Sequence, residues 1–193
     1  MNLPNKITTS RIILTIFIIF FCLFPFYAIN VNLPVINIKG IIIEFKYVIA
    51  GLLFIIASIS DFIDGKIARS KGLVTDTGKL LDSIADKVLV NSVLVIFASN
   101  GFINPIIAVI YIFRDEVVNV LRMHALRHGK VVPASTMGKI KTFCMMSGLS
   151  LMFFYNIPFE FLNIHLDKFL IYVATILSVV SGFEYYFQIM KKK

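Results

Sequence analysis

The chain has 193 residues, of which 58% are hydrophobic and 16% charged, with 19 phenylalanines, no tryptophan and a formal net charge of +8. A water-soluble domain of this size is about half apolar and about a quarter charged, so the composition points to an integral membrane protein. The basic excess is better explained by membrane topology than by nucleic acid, so no nucleic-acid partner is expected.

In chain order, the segment "MNLPNKITTSR" precedes a long apolar run with no small-residue cleavage site after it, and it is read as leading into a retained first membrane helix. Apolar runs approaching the roughly 20 residues of a bilayer crossing predict six transmembrane helices, at about residues 11–30, 46–69, 77–98, 103–125, 138–157 and 167–189. Between the first two, "NVNLPVINIKGIIIEFK" breaks the periodicity with Asn, Pro and Gly and reads as a loop with a short lipid-hugging piece. No repeat or compositional shift divides the chain, so residues 1–193 form one all-α membrane domain. Cys22 and Cys144 fall in apolar runs and read as packed thiols.

Six spans put both termini and the second and fourth loops on one side. That side carries Lys6, Arg11, Arg69, Lys71, Lys79, Arg122, Arg127, Lys130, Lys139, Lys141 and Lys191 to Lys193; the other has Lys39, Lys46 and Lys168. Lys and Arg in short loops mark the cytoplasmic face. The expectation is a multi-pass protein of the cytoplasmic membrane with both termini inside.

The stretch "SDFIDGKIARSKGLVTDTGKLLDSIADKV", Ser60 to Val88, concentrates five aspartates on that side. Asp61 and Asp64 are one helical turn apart, as are Asp82 and Asp86, so each of two consecutive spans can present a carboxylate pair on one face. Four acids converging near a membrane repel one another unless a cation sits among them. All-oxygen ligation favours Mg²⁺ or Mn²⁺, with Ca²⁺ as a further candidate, and such a site suits phosphoryl chemistry. The plain alternative is ion pairing with Lys66, Arg69, Lys79 and Lys87 at a wet helix end. Asp76 lies in the connecting loop.

The run Asp61-x2-Asp64-Gly65-x2-Ala68-Arg69-x8-Gly78-x3-Asp82-x3-Asp86 resembles the full signature of the CDP-alcohol phosphotransferase family, with every fixed position at its spacing. The resemblance implies a cytoplasm-facing active site in which Asp61, Asp64, Asp82 and Asp86 hold one or two divalent ions. Asp86 would be the general base toward the acceptor alcohol. Gly65, Ala68 and Gly78 would make room for the cytidine nucleotide of CDP-diacylglycerol beside Asp61, and Arg69 would reach its phosphates. Asn5, Thr8 and Arg11 resemble the Pro-Asn-x2-Thr-x2-Arg segment that many bacterial members carry before their first span, where it helps line the nucleotide site; a capped helix start with an anchoring arginine is the bland reading. The family's habit also implies a homodimer among membrane lipids.

The acceptor is read elsewhere. "YIFRDEVVNVLRMHALRHGK" places Arg114, Asp115 and Glu116 in the cytoplasmic half of span four, with Arg122 two turns on. Lys139 and Lys141 open span five. An arginine within a span needs a partner, and Asp115, Glu116 or the signature acids could each serve Arg114. The four cations together suggest a pocket for an acceptor that carries phosphate. The expected reaction is phosphatidyl transfer from CDP-diacylglycerol to sn-glycerol 3-phosphate. Inositol phosphate or phosphatidylglycerol as acceptor, and a divalent-cation transporter of a different class, are the competing readings. His124, His128 and His165 lack metal-ligand companions and read as surface or interfacial.

Overall fold

A computed structural model describes residues 3–31, 33–70, 76–127 and 136–190, with side chains of residues 3–7, 62–70, 76–77, 79–80, 126–127 and 189–190 outside the description. Six α-helices run through these residues: α1 Leu3–Leu23, α2 Phe45–Ser70, α3 Asp76–Ser99, α4 Pro105–Arg127, α5 Thr136–Phe153 and α6 Leu166–Met190. Each falls on one of the six expected spans. α1 begins well before the apolar run, so the "LPNKITTSR" segment is part of the first helix.

The connection from α1 to α2 departs from the expected loop. After a 3₁₀ turn, Phe26–Ile29, it forms a hairpin of β1 Val35–Ile38 and β2 Ile41–Glu44, with Ile38 opposite Ile41 and Val35 opposite Glu44. Lys39 and Gly40 both take positive φ, 52° and 91°, as a two-residue turn between right-twisted strands requires. The β-branched residues on either side of that turn supply the strand preference.

Helix ends follow local chemistry. Asn104 Oδ1 accepts from the Ile106 N–H at 3.0 Å, just ahead of Pro105, the first residue of α4. α3 stops at Gly101, whose φ of +76° lets Phe102 N–H reach Phe97 O at 2.9 Å. Hydroxyls inside the helices, such as Ser58, Thr142, Ser150 and Thr175, donate to carbonyls one turn back, at 2.8–3.1 Å. These residues therefore cost little in an apolar setting.

α1 packs along α2 and α3, while α6 packs along α5 and α4; α2–α5 and α3–α4 contacts join the two groups. The core between them is aromatic at the end away from the acidic stretch. Phe97 and Phe153 rings lie 4.6 Å apart, and Phe54 and Phe153 5.5 Å, with Leu94, Met145 and Leu149 fully buried around them. The outward faces carry Ile16, Phe17, Val109, Phe113, Phe143, Ile176 and Phe183, all more than half exposed. α6 over Leu166–Gln188 is long and apolar enough to cross a membrane.

α5 and α6 approach closely at Gly148. A Cβ there would stand 2.8 Å from Ile171 Cγ1 and 3.0 Å from the Asp167 carbonyl. Gly148→Val should therefore destabilise the bundle by about 1–3 kcal/mol, read as a lower unfolding midpoint in detergent; an unchanged midpoint would contradict this packing.

Candidate active site

Because successive helices run in opposite directions, the late part of α2, the early part of α3 and the early part of α1 meet at one end of the bundle. There the Arg11 side chain, fully buried, places Nη1 2.5 Å from Asp61 Oδ1 and 3.1 Å from Asp82 Oδ1. One guanidinium nitrogen thus joins three helices. Thr8, one turn earlier on α1, is buried at the same place, and Thr15 Oγ1 donates to the Arg11 carbonyl at 2.9 Å. The Asp61 and Asp82 side chains keep 33% and 48% of their surface open, so each carboxylate is gripped from the inside and partly exposed. Gly78 lies on α3 one turn before Asp82.

Asp86, a further turn along α3, has a buried Oδ1 with no hydrogen-bond partner among the described residues. A buried carboxylate oxygen without a donor is costly, and such an atom is available to a proton or a cation. Asn5, Asp64, Gly65, Ala68 and Arg69 lie on α1 and α2, but the placement of their side chains is outside the described residues. Among the described residues no three His, Cys, Asp or Glu side chains gather closely enough to hold a metal by themselves. Asp61, Asp82 and Asp86 are the signature carboxylates whose side chains are described.

A second charged cluster joins α4, α5 and α6. Asp115 accepts from Arg114 Nη1 at 2.9 Å and also pairs with Lys141 Nζ. Arg114 Nη2 donates to Ser181 Oγ at 2.6 Å, and Lys141 Nζ reaches Ser178 Oγ at 3.4 Å and sits 4.4 Å above the Tyr111 ring. Gly182 lets Arg114 lie against α6: a Cβ would stand 3.1 Å from its Nε. Two cations therefore share one carboxylate, leaving a local excess of positive charge. Arg122 stacks 4.6 Å from the centroid of the Tyr185 ring and donates to its hydroxyl. Glu116 is taken by Lys87 at 3.1 Å.

A cavity of about 590 Å³ opens beside the second cluster and reaches Asp86. Asp86, Ser83 and Lys87 of α3 line it, opposite Arg114, Asp115, Asn119 and Arg122 of α4, Lys139, Lys141 and Thr142 of α5, and Tyr185 of α6. The four cations expected from the sequence are thus brought together, with Asp86 in the same wall. Lys139 is exposed at the rim, whereas Lys141 is buried. Tyr185, Ser178 and Ser181 carry no sequence signal for this role; Asp115 was expected as a candidate partner of Arg114, and Arg11 only as part of the segment around Asn5 and Thr8. An arginine one turn beyond Thr8, just ahead of a long apolar run, was the available hint.

On the opposite end, His165 Nδ1 lies 3.3 Å from Glu160 Oε2, which also accepts from Asn156 at 3.0 Å. That hydrogen bond holds the Glu160 carboxyl below its ordinary range.

The family model described as CDP-alcohol phosphatidyltransferase matches residues 1–180. The CDP-diacylglycerol–glycerol-3-phosphate 3-phosphatidyltransferase of Bacillus subtilis is 36% identical over 190 residues, covering 96% of this chain and 93% of its own. The protein of the same name from Rickettsia bellii is 33% identical over 186 residues, with 96% and 93% covered. A probable phosphatidylglycerophosphate synthase of Mycobacterium tuberculosis is 34% identical over 139 residues, 72% of this chain and 64% of its own.

The shared carboxylate makes an asymmetric prediction. Asp115→Asn strands two cations and should lower stability by about 1–3 kcal/mol, less than a fully buried pair because Asp115 is partly open. Lys141→Met leaves Asp115 paired with Arg114 and should cost less. Thermal unfolding of the two variants checks the order; a larger loss for Lys141→Met would contradict it.

Proposed function

Because the chain belongs to the CDP-alcohol phosphatidyltransferase family, we propose that it transfers the phosphatidyl group of CDP-diacylglycerol to sn-glycerol 3-phosphate, giving phosphatidylglycerophosphate and CMP. The observation that carries the choice of acceptor is the cavity in which Asp86 faces Arg114, Arg122, Lys139 and Lys141. An acceptor with a phosphate at one end and a hydroxyl at the other fits a pocket with cations on one wall and a carboxylate on the other. The names of the relatives from Bacillus subtilis and Rickettsia bellii support the same acceptor.

In the proposed reaction, Arg122 and Lys139 take the acceptor phosphate, with Arg114 and Lys141 adding positive field from their shared pairing with Asp115. Asp86 accepts the proton of the acceptor hydroxyl, whose oxygen forms a bond to the phosphorus bearing the diacylglycerol. The bond from that phosphorus to the CMP oxygen breaks, and CMP leaves with the electron pair. Thr8, Gly78 and Asp61, with Asn5, Gly65, Ala68 and Arg69, form the nucleotide side.

Asp61, Asp64, Asp82 and Asp86 would hold one or two Mg²⁺ or Mn²⁺ ions. Two observations fit that group: one positive nitrogen draws Asp61 and Asp82 together, and Asp86 Oδ1 is buried without a donor among the described residues. A bound divalent ion would offset charge on the diphosphate and on departing CMP. The six helices are proposed as six membrane spans of one domain, with the site and both termini cytoplasmic. The chain is further proposed to work as a homodimer among membrane lipids. The Lys and Arg bias of the termini and of the second and fourth loops supports the orientation.

A CMP-release assay on purified protein with CDP-diacylglycerol, Mg²⁺ or Mn²⁺ and a panel of alcohols tests the proposal. Release is expected with sn-glycerol 3-phosphate; release with inositol phosphate or phosphatidylglycerol alone would overturn the acceptor. Asp86→Asn should abolish turnover in folded protein, and full activity would remove it as base. Arg122→Ala should raise KM for glycerol 3-phosphate about tenfold or more while leaving that for CDP-diacylglycerol nearly unchanged; equal rises would contradict an acceptor pocket.

A further inference from the structure

We propose that Arg11 is the positioning residue of the carboxylate centre, an inference that rests on the divalent-ion reading above. Its Nη1 contacts the Oδ1 of both Asp61 and Asp82, at 2.5 and 3.1 Å. These two acids come from different helices, α2 and α3, and a single guanidinium nitrogen contacts both.

The burial pattern says from which side. Arg11 has no exposed surface, whereas about a third of Asp61 and half of Asp82 remain open. Arg11 therefore stands behind the carboxylates, on the core side, and the open parts face outward where an ion and a diphosphate would arrive. Thr15 bonds the Arg11 carbonyl, and Ile18, one turn further along α1, is fully buried. The helix is thus fixed at this depth, and the Arg11 side chain lies wholly inside the bundle. It acts as a fixed counter-charge that holds two mutually repelling carboxylates at ligand spacing.

This role is separate from lining the nucleotide site and from anchoring α1 to the interface. It assigns the arginine a function through the acids rather than on the substrate. Partners that orient metal ligands typically govern affinity by about 10–100-fold.

The test is Mn²⁺ binding to detergent-purified protein without substrate, read from the free-ion electron paramagnetic resonance signal, alongside thermal unfolding in chelator. Wild type should bind Mn²⁺. Arg11→Gln should lose about 10–100-fold in affinity, and Arg11→Lys, which keeps the charge on a shorter single donor, should fall between the two. Affinity in folded Arg11→Gln within about twofold of wild type, or tighter, would overturn the proposal. If Arg11→Gln does not fold, Arg11→Lys carries the test: a loss of about threefold or more supports the role, and wild-type affinity overturns it. Failure of wild type itself to bind Mn²⁺ would overturn the divalent-ion reading and this inference together, so the two failures are distinguishable.

Discussion

The constraint on which the rest of the molecule depends is charge brought into an apolar bundle. The Arg11 guanidinium, with no exposed surface, is met by Asp61 and Asp82 from two other helices. In such surroundings a charge is tolerated only when paired and hydrogen-bonded. The pairing therefore draws α1, α2 and α3 together at one end and sets the side chains of the acidic centre in a fixed relation. The same solution recurs across the molecule with the signs reversed. There Asp115 of α4 pairs with both Arg114 and Lys141, and the hydroxyls of Ser178 and Ser181 accept further hydrogen bonds from them.

The two halves differ in what they leave over. Among the described residues, one cation meets two acids around Arg11, and one acid meets two cations around Asp115. The cavity beside Asp115 sets an acid, Asp86, against the basic wall. A phosphate-bearing alcohol would span that gradient with its hydroxyl toward the carboxylate. The far end of the bundle supplies rigidity instead of chemistry: Phe54, Phe97 and Phe153 pack ring against ring, and Gly148 lets α6 lie close on α5. Positioning at the charged end depends on that packed end, because the helices that carry the site residues are the ones it locks together.

Much of this was legible in the sequence, for identifiable reasons. Runs of Ile, Leu, Val and Phe located all six helices, since length and apolarity are local properties. One-turn spacing put Asp82 and Asp86 on one face, and the clustering of Arg114, Arg122, Lys139 and Lys141 foretold a common pocket. The hairpin from Val35 to Glu44 was not seen, because Pro, Asn and Gly there read equally well as a loop, and only the pairing of Ile38 with Ile41 distinguishes the two. The partners of the charges were also hidden. Arg11 and Asp82 are 71 positions apart, Arg122 and Tyr185 63, and such pairings depend on how helices cross. Asp115 was visible as a neighbour of Arg114, but its sharing with Lys141 required α5 to be brought alongside α4.

The central claim is that an acceptor hydroxyl, activated at Asp86, displaces CMP from the phosphorus that carries the diacylglycerol. It is tested most directly by supplying sn-glycerol 3-phosphate labelled with ¹⁸O at its free primary hydroxyl, together with CDP-diacylglycerol, and weighing both products by mass spectrometry. The account predicts that the label is retained in the bridging oxygen of phosphatidylglycerophosphate and that CMP is unlabelled. Labelled CMP, or a lipid product without the label, would contradict it.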